Sequence, residues 1–320
     1  MADNILAEGN TKLAELGLAF AEPGGPAGSS VSLTRRYLDS LLVEFRVIDA
    51  VKASTGFDLF GETFSTPVMT AALSGLDRVR LNGMAEMAGG AARAGAVMWA
   101  GIGGEDELKA MIDTGAKVVK IVKPYRDIDL VFKKLEQAER FGAFAVGMDA
   151  DFVFGRKDWS APVPMGPKTL DEIKSFVKAV KLPFVVKGVL SEADAVKAVE
   201  AGAAGVVVSH HGGALMDWSV PPAMILPRVV KAAAGRLRVF ADCGVVGGMD
   251  AFKLMALGAD AVSVGKAIMA GLAAAGADGV CQAIRQITDE LKRIMSQTAC
   301  ASPAEIPSGL LWTTAGEKIA

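Results

Sequence analysis

Residues 182–210 read LPFVVKGVLSEADAVKAVEAGAAGVVVSH, and this stretch decides the fold. It consists of an apolar run (182–189), an Ala-rich helical segment (191–203) and a second β-branched run (204–210). Strands that alternate with helices in this way predict parallel pairing. Both runs are continuously apolar, which is typical of strands covered on both faces.

The same unit recurs along most of the chain. The apolar runs lie at 66–73, 95–102, 117–124, 144–150, 182–189, 204–210, 237–244 and 260–267. Several of the helical segments between them end in Gly-Ala, and a glycine at that position can take the left-handed conformation that stops a helix. Eight units predict a closed (β/α)₈ TIM barrel, an α/β fold. An open doubly wound sheet is less consistent, because no G-x-G-x-x-G sits at a strand-to-helix turn.

Residues 1–64 do not fit the repeat. They contain a Gly/Pro/Ser-rich linker that runs into a short helix, and we predict an N-terminal helical and loop extension that packs on the barrel's N-terminal face. Residues 65–320 are predicted to be the barrel, closed by a long amphipathic helix over 278–302.

Composition excludes several functional classes. The 320 residues carry a net charge of −2 with basic residues spread evenly, so we expect no nucleic-acid partner. We expect no membrane-spanning helix and no signal peptide, because the chain has neither a long uninterrupted apolar run nor a basic start. The three cysteines are too few and too scattered for a disulfide framework or a zinc site. A reducing cytoplasm is the expected compartment.

Polar side chains stand at the predicted carboxyl ends of the strands, where barrels of this kind carry their reacting groups. The barrel would bring them around one mouth although they are far apart in sequence. They are Lys123, Asp149, Lys187, Ser209, His210, His211, Asp242 and Lys266.

Two of these groups have chemistry that suits catalysis. Lys187 ends an apolar strand, so it needs either an ion-pair partner across the barrel or an anion or electron-rich cofactor in front of it. His211 stands beside two glycines and is the best candidate for a base near neutral pH, with Asp149 as the acid that orients it. Two adjacent histidines point in different directions, so no metal site is expected.

Glycine-rich turns follow the last two strands, DCGVVGG at 242–248 and VGKA at 264–267. Each turn alone is explained by a tight bend. Together, at adjacent strands and at helix starts with backbone N–H groups, they favour a phosphate site.

These residues resemble the FMN-dependent α-hydroxy-acid oxidase/dehydrogenase family, which includes glycolate oxidase and lactate oxidase. The resemblance runs from about Arg46 to Glu305, and its strongest part is LPFVVKGV, SHHGG, DCGVVGG and VGK. It implies FMN as the cofactor and oxidation of a 2-hydroxy acid to a 2-oxo acid. It also implies a homo-oligomer, tetrameric or larger.

The resemblance also implies roles for single residues. Lys187 matches the lysine beside flavin N1 and O2, His211 the catalytic base, and Asp149 its acidic partner. Arg156 approximately matches an arginine that grips the substrate carboxylate, in a loop (151–168) that would form a lid. The implied cofactor contacts, besides Lys187, are Ala72, Leu73, Ser74, Gly101, Ser209, Asp242, Cys243, Gly244, Val245, Val246, Gly265 and Lys266.

The departures from the family pattern concern the substrate pocket and the phosphate site. Ala214 stands where the family has a second carboxylate-binding arginine, and Lys123 replaces an active-site tyrosine, with Tyr125 two positions on. We therefore expect Lys123, Tyr125 and Arg156 to bind the substrate. Val246 replaces a phosphate-binding arginine, which shifts phosphate binding toward backbone N–H groups.

Three alternatives remain open from the sequence. One keeps the barrel and the FMN but changes the chemistry, as in type 2 isopentenyl-diphosphate isomerase. Another is a flavin-binding electron-transfer subunit without turnover of its own. The third is a phosphate-binding barrel without flavin, such as an aldolase.

Overall fold

The computed structural model describes residues 2–18, 29–155 and 163–319. The helices are α1 (Ala2–Glu15), α2 (Ser30–Asp39), α3 (Gly83–Ala94), α4 (Glu105–Asp113), α5 (Ile128–Arg140), α6 (Leu170–Ala179), α7 (Glu192–Glu200), α8 (Pro222–Ala233), α9 (Gly248–Ala256) and α10 (Lys266–Gln297). The strands are β1 (Leu41–Val43), β2 (Phe57–Leu59), β3 (Glu62–Phe64), β4 (Val68–Thr70), β5 (Met98–Ala100), β6 (Val118–Val122), β7 (Ala145–Asp149), β8 (Phe184–Val189), β9 (Gly205–Val208), β10 (Arg238–Ala241), β11 (Ala261–Val264) and β12 (Leu311–Thr313).

Strands β4 to β11 form one parallel eight-stranded sheet, with β11 paired to β4. The ring is completed between β4 and β5 by an isolated parallel bridge from Leu73 to Ala100 and by the Gly101 amide, which donates to the Leu73 carbonyl at 2.8 Å. Each strand lies inside one of the eight predicted runs. The predicted (β/α)₈ barrel is confirmed.

The interior of the barrel is filled by apolar side chains from alternate strand positions. Trp99 and Phe240 stack edge-to-face with ring centroids 5.4 Å apart. The hairpin of β2 and β3 lies against the amino ends of the strands, where Phe60 and Phe64 contact Phe144 at 5.9 and 5.5 Å. This hairpin covers the N-terminal end of the barrel.

The rest of the predicted extension lies elsewhere. Helix α1 packs on α10, and β1 pairs antiparallel with β12 near the C-terminus. Helix α2 lies at the opposite, C-terminal end of the barrel, where Arg35 forms a bidentate ion pair with Asp250 and donates to the Gly244 carbonyl. The segment before the barrel therefore contacts both ends of it, and not the N-terminal face alone.

Helix α10 joins two helical pieces across a kink at Ala275 and Gly276, whose φ angles are −146° and 58°. By length and composition alone it could cross a membrane, but 72% of its most apolar window is buried within the protein. Its apolar residues pack against α1, α3 and α9, which accounts for its hydropathy.

Candidate active site

The carboxyl ends of the barrel strands bring the predicted polar residues to one mouth. Asp149 is the last residue of β7, Lys187 lies in β8, and Lys123, Ser209 and Asp242 directly follow β6, β9 and β10. All five side chains are buried, with exposures of 7% or less. Buried charges need partners, so the contacts among these groups decide what the site can do.

Asp149 is held by two lysines. Its Oδ2 accepts a hydrogen bond from Lys123 Nζ at 2.6 Å, and its Oδ1 lies 3.0 Å from Lys187 Nζ. The strand register produces the second contact, because Asp149 and Lys187 are paired neighbours on adjacent parallel strands. Lys187 thus has the ion-pair partner that its burial demands, on the adjacent strand and not across the barrel.

The charges in this cluster stabilise one another. Burial opposes ionisation of Asp149, but the electrostatic interactions with Lys187, His211 and Lys123 outweigh it and hold the pKa of that carboxyl well below its usual range. Burial likewise opposes the charge on Lys187, yet Asp149, Asp242 and Asp151 raise the pKa of its ammonium above the usual value. Both groups are therefore charged across the physiological range.

His211 has a different carboxylate as its nearest neighbour. Its Nδ1 lies 3.2 and 3.3 Å from the two oxygens of Asp151, but 3.8 Å from Asp149 Oδ1, which is beyond hydrogen-bond distance. Asp149, the predicted acidic partner, therefore lies within ion-pair distance of His211 but is not the nearer carboxylate, because the Asp149 oxygens face the two lysines. Sequence reasoning placed Asp151 only in the lid.

The backbone around His211 is constrained. His211 has a φ of +56°, which is unusual for a residue with a side chain, and its amide donates to Ser209 Oγ at 3.0 Å. Gly212 and Gly213 follow with φ of +64° and +75°. The two glycines let the chain form this tight turn at the strand end.

His210 is fixed as a neutral imidazole. Its Nδ1 accepts a hydrogen bond from the Gly213 amide at 3.0 Å, so the ring proton resides on Nε2, which lies 2.7 Å from Thr34 Oγ1. Burial lowers the pKa of His210, in agreement with this assignment. Thr34, in α2, had no sequence signal that linked it to the site.

Phe152 and Lys123 line the side of the site next to His211. Lys123 Nζ lies 4.0 Å from the centroid of the Phe152 ring, and that ring is 5.4 Å from the His211 ring. Lys123 is thus already satisfied by Asp149 and Phe152. Tyr125 is buried, which raises the pKa of its hydroxyl, and its carbonyl accepts from Lys168 Nζ at 2.6 Å.

Arg156, the other predicted substrate ligand, lies outside the described residues, as does part of the predicted lid.

Two backbone segments form close approaches at the predicted flavin ring site. Ala72, Leu73 and Ser74 follow β4, and a Cβ added to Gly101 would lie 2.3 Å from Ser74 Oγ. After β10, Cys243 has a φ of +70° and its Sγ donates to Asp242 Oδ1 at 2.8 Å. Burial raises the pKa of the Cys243 thiol well above its usual value, so the thiol is protonated.

The two predicted phosphate turns differ. The amides of Val246 and Gly248 donate to Asp250 Oδ2 at 3.0 Å and Glu290 Oε2 at 2.6 Å, so carboxylates already use this helix start. Two of the backbone N–H groups at this helix start are therefore already hydrogen-bonded. At the start of α10 the N-cap residue is Gly265, which has no side chain to cap the helix. It is the better placed of the two turns for a phosphate.

The residues present fit FMN. A buried ammonium stands at the end of β8, Gly101 sits where a side chain would collide with its surroundings, and an uncapped helix start follows β11. The buried ammonium suits an electron-rich ring, and Gly101 suits a close approach of the backbone to that ring. The helix start suits a phosphate.

The ligand atoms of Asp149, Asp151 and His211 lie within 4.8 Å of one another, the spacing of a metal cluster. Lys123 and Lys187 compensate the charge of Asp149 in that cluster, which disfavours a cation there.

Comparisons with known proteins identify the family of this chain. A family model described as FMN-dependent dehydrogenase matches residues 10–166 and 164–313. A glycolate oxidase from Zea mays is 30% identical over 334 aligned positions, which cover 92% of this chain and 90% of that enzyme. An L-lactate oxidase from Roseobacter sp. (strain GAI101) is 41% identical over 143 residues; this match spans 45% of the chain and only 39% of that oxidase.

Solved structures show the same likeness. A mandelate oxidase structure has a TM-score of 0.88 at 28% identity and covers 98% of each chain. A mandelate oxidase variant with a C4a-OH-FMN adduct has a TM-score of 0.85 at 27% identity, covering 97% of this chain and 99% of that one. Because the family model matches nearly the whole length of this chain, the chain belongs to the family of FMN-dependent dehydrogenases.

Proposed function

We propose that this protein oxidises a 2-hydroxy acid to the 2-oxo acid with FMN as its cofactor. The observation that carries the proposal is the His211 imidazole, which presents Nδ1 to a carboxylate beside the buried Lys187. A ring held in this way has Nε2 available as a base. The similar glycolate, lactate and mandelate oxidases support oxidation over isomerisation.

The residues of this chain divide the chemistry among them. Nε2 of His211 takes the proton of the substrate hydroxyl. The hydrogen on the carbon that bears this hydroxyl leaves with its electron pair, and the carbonyl forms. FMN, when bound, would accept that hydrogen together with its electron pair. Lys187 would lie against the flavin and supply a fixed positive charge where negative charge builds up. Asp149 keeps that ammonium in position.

Substrate binding rests on few positive charges. Lys123 gives its hydrogen bond to Asp149, and Ala214 supplies no charge where the family has an arginine. We propose that Arg156 is the main residue that binds the substrate carboxylate, with Lys123 and Tyr125 nearby. A single guanidinium makes fewer paired hydrogen bonds than two, so we expect weaker carboxylate binding and a larger contribution from the substrate's apolar part.

The test is anaerobic titration of the purified protein with a panel of 2-hydroxy acids that includes glycolate, lactate and mandelate. At least one acid should bleach the visible absorption of the oxidised flavin, and His211→Ala should slow that bleaching by about 100-fold or more. A flavin that stays oxidised with the whole panel contradicts the proposal. Reduction only in the presence of a partner protein would instead indicate an electron-transfer subunit.

We further propose a homo-oligomer of four or more copies in the cytoplasm. Family resemblance supports the assembly, and the three cysteines, all among the described residues and all unpaired, fit a reducing compartment. Light scattering coupled to size-exclusion chromatography tests the assembly, and cell fractionation tests the location.

A further inference from the structure

We infer that Asp151, and not Asp149, is the carboxylate that orients the His211 imidazole for the reaction proposed above. Both Asp151 oxygens face His211 Nδ1, at 3.2 and 3.3 Å, whereas the nearest Asp149 oxygen is 3.8 Å away. Asp151 acts through Nδ1 of the His211 imidazole, so we class it as a positioning residue. The inference rests on the proposed role of His211 as the base.

Asp149 is committed to other partners. Lys123 donates to its Oδ2 at 2.6 Å and the Lys187 ammonium lies 3.0 Å from its Oδ1, so each carboxylate oxygen faces a lysine. At 2% exposure the side chain has no room to turn toward His211 without leaving two buried ammonium groups unpaired. Asp149 thus pairs with the two lysines, whereas Asp151 pairs with the His211 imidazole.

Gly188 provides the space that Asp151 occupies. A Cβ built on Gly188 would lie 2.2 Å from Asp151 Cγ and 2.6 Å from its Oδ1, and the φ of Gly188 is +93°. The pairing of β8 with β9 shifts register here, between Lys187 and Val189. This bulge places Lys187 toward Asp149 and leaves an open position next to it for the Asp151 side chain.

The arrangement selects one form of the ring. When His211 is neutral, its Nδ1–H donates to Asp151 and the lone pair stays on Nε2, which is the form a base requires. When Nε2 takes a proton, the Asp151 charge stabilises the resulting imidazolium. The Phe152 ring, 5.4 Å from the His211 ring, limits rotation on the other side. The charged groups around the imidazole are Asp151, Asp149 and, beyond Asp149, the two lysines.

The experiment is solid-state ¹⁵N NMR of the FMN-loaded protein with labelled histidine rings, recorded without substrate. The chain has only two histidines, so His210→Asn assigns both signals. We expect the Nδ1–H form for His211 in the wild type and in Asp149→Asn. In Asp151→Ala we expect the Nε2–H form, and in Asp151→Glu at least partial return of the Nδ1–H form.

Stopped-flow measurement of flavin reduction supplies the second readout. Asp151→Ala should lower the limiting rate by about 100-fold with a smaller change in substrate affinity, and Asp151→Glu should recover part of it. FMN content and melting temperature confirm that the variants are folded.

Three results would overturn the inference. One is an Nδ1–H form that survives in Asp151→Ala. Another is its loss in Asp149→Asn. The third is slower flavin reduction in Asp151→Ala while the His211 tautomer stays the same as in the wild type. If no acid reduces the flavin, the proposed function fails, while the tautomer, measured without substrate, still decides the role of Asp151.

Discussion

Thr34 Oγ1 lies 2.7 Å from Nε2 of His210, although the two residues are 176 positions apart. Because Nδ1 of His210 accepts from the Gly213 amide, the imidazole joins helix α2 to the turn that carries His211. His210 therefore has a structural role, next to the histidine that we propose as the base.

Thr34→Val should destabilise the protein, because it leaves the buried His210 N–H without an acceptor. We expect a loss of about 1–3 kcal/mol in the free energy of unfolding, measured in urea. Thr34→Ser keeps the hydroxyl and is the matched control. Equal stability of the Val and Ser variants would show that this hydrogen bond contributes nothing.

Stability should fall at mildly acid pH because of His210. Burial lowers the pKa of its imidazole below the usual 6.5, so the unfolded chain takes up a proton at a pH where the folded protein does not. The stability that depends on a neutral His210 imidazole is complete above about pH 6.5. The free energy of unfolding decreases as the pH falls below that value, by up to about 1.4 kcal/mol per pH unit.

The check on this pH dependence is the difference between wild type and His210→Asn in unfolding free energy at pH 7.5 and 5.5. Carboxyl groups titrate in both proteins and cancel in that difference. A difference that does not change with pH would refute the assignment.

The Asp149 cluster should behave as one unit. Asp149→Asn leaves two buried ammonium groups without a full counter-charge and should cost about 3–5 kcal/mol. Adding Lys123→Met should cost less in that background than in the wild type, by more than about 0.5 kcal/mol in urea unfolding. Lys197→Met, which breaks an exposed pair with Asp194, is the control and should change stability by less than about 0.5 kcal/mol.

Gly188→Ala should be far more harmful than Gly202→Ala. Both glycines have positive φ, +93° and +78°, so both variants lose about 1–2 kcal/mol for the backbone. Only at Gly188 does the added methyl collide with Asp151, because at Gly202 the nearest atom outside its chain neighbours is 3.8 Å away. We expect a total loss of about 2–5 kcal/mol and slower flavin reduction for Gly188→Ala alone. Similar values for the two variants would contradict the packing described for Asp151.

The barrel could be predicted because its strands are buried on both faces. Each strand then appears as an apolar run, and several runs carry a polar residue near their carboxyl end, as at Lys123, Asp149 and Asp242. The runs are longer than the strands: 66–73 contains only three residues of β4. The ends of apolar runs mark burial, whereas strands end where pairing stops.

The partners within the site were harder to predict. Asp151 lies in an irregular turn. Its only signal in the sequence is Gly188 beside Lys187, and the reason for a glycine there is seen only when the two segments are packed together. Glu290 reaches the Gly248 amide from 42 residues away on α10, a contact with no local pattern. Such pairings follow from the three-dimensional arrangement of helices that a linear pattern does not specify.

The position of α2 has a consequence for the order in which the chain assembles. Its contacts with His210, Gly244 and Asp250 all involve residues that follow the sixth and seventh strands of the barrel. These partners are synthesised only after the first six strands of the barrel, β4 to β9. A segment made early during synthesis therefore reaches its final place late, and the turn that carries His211 acquires its last support only then.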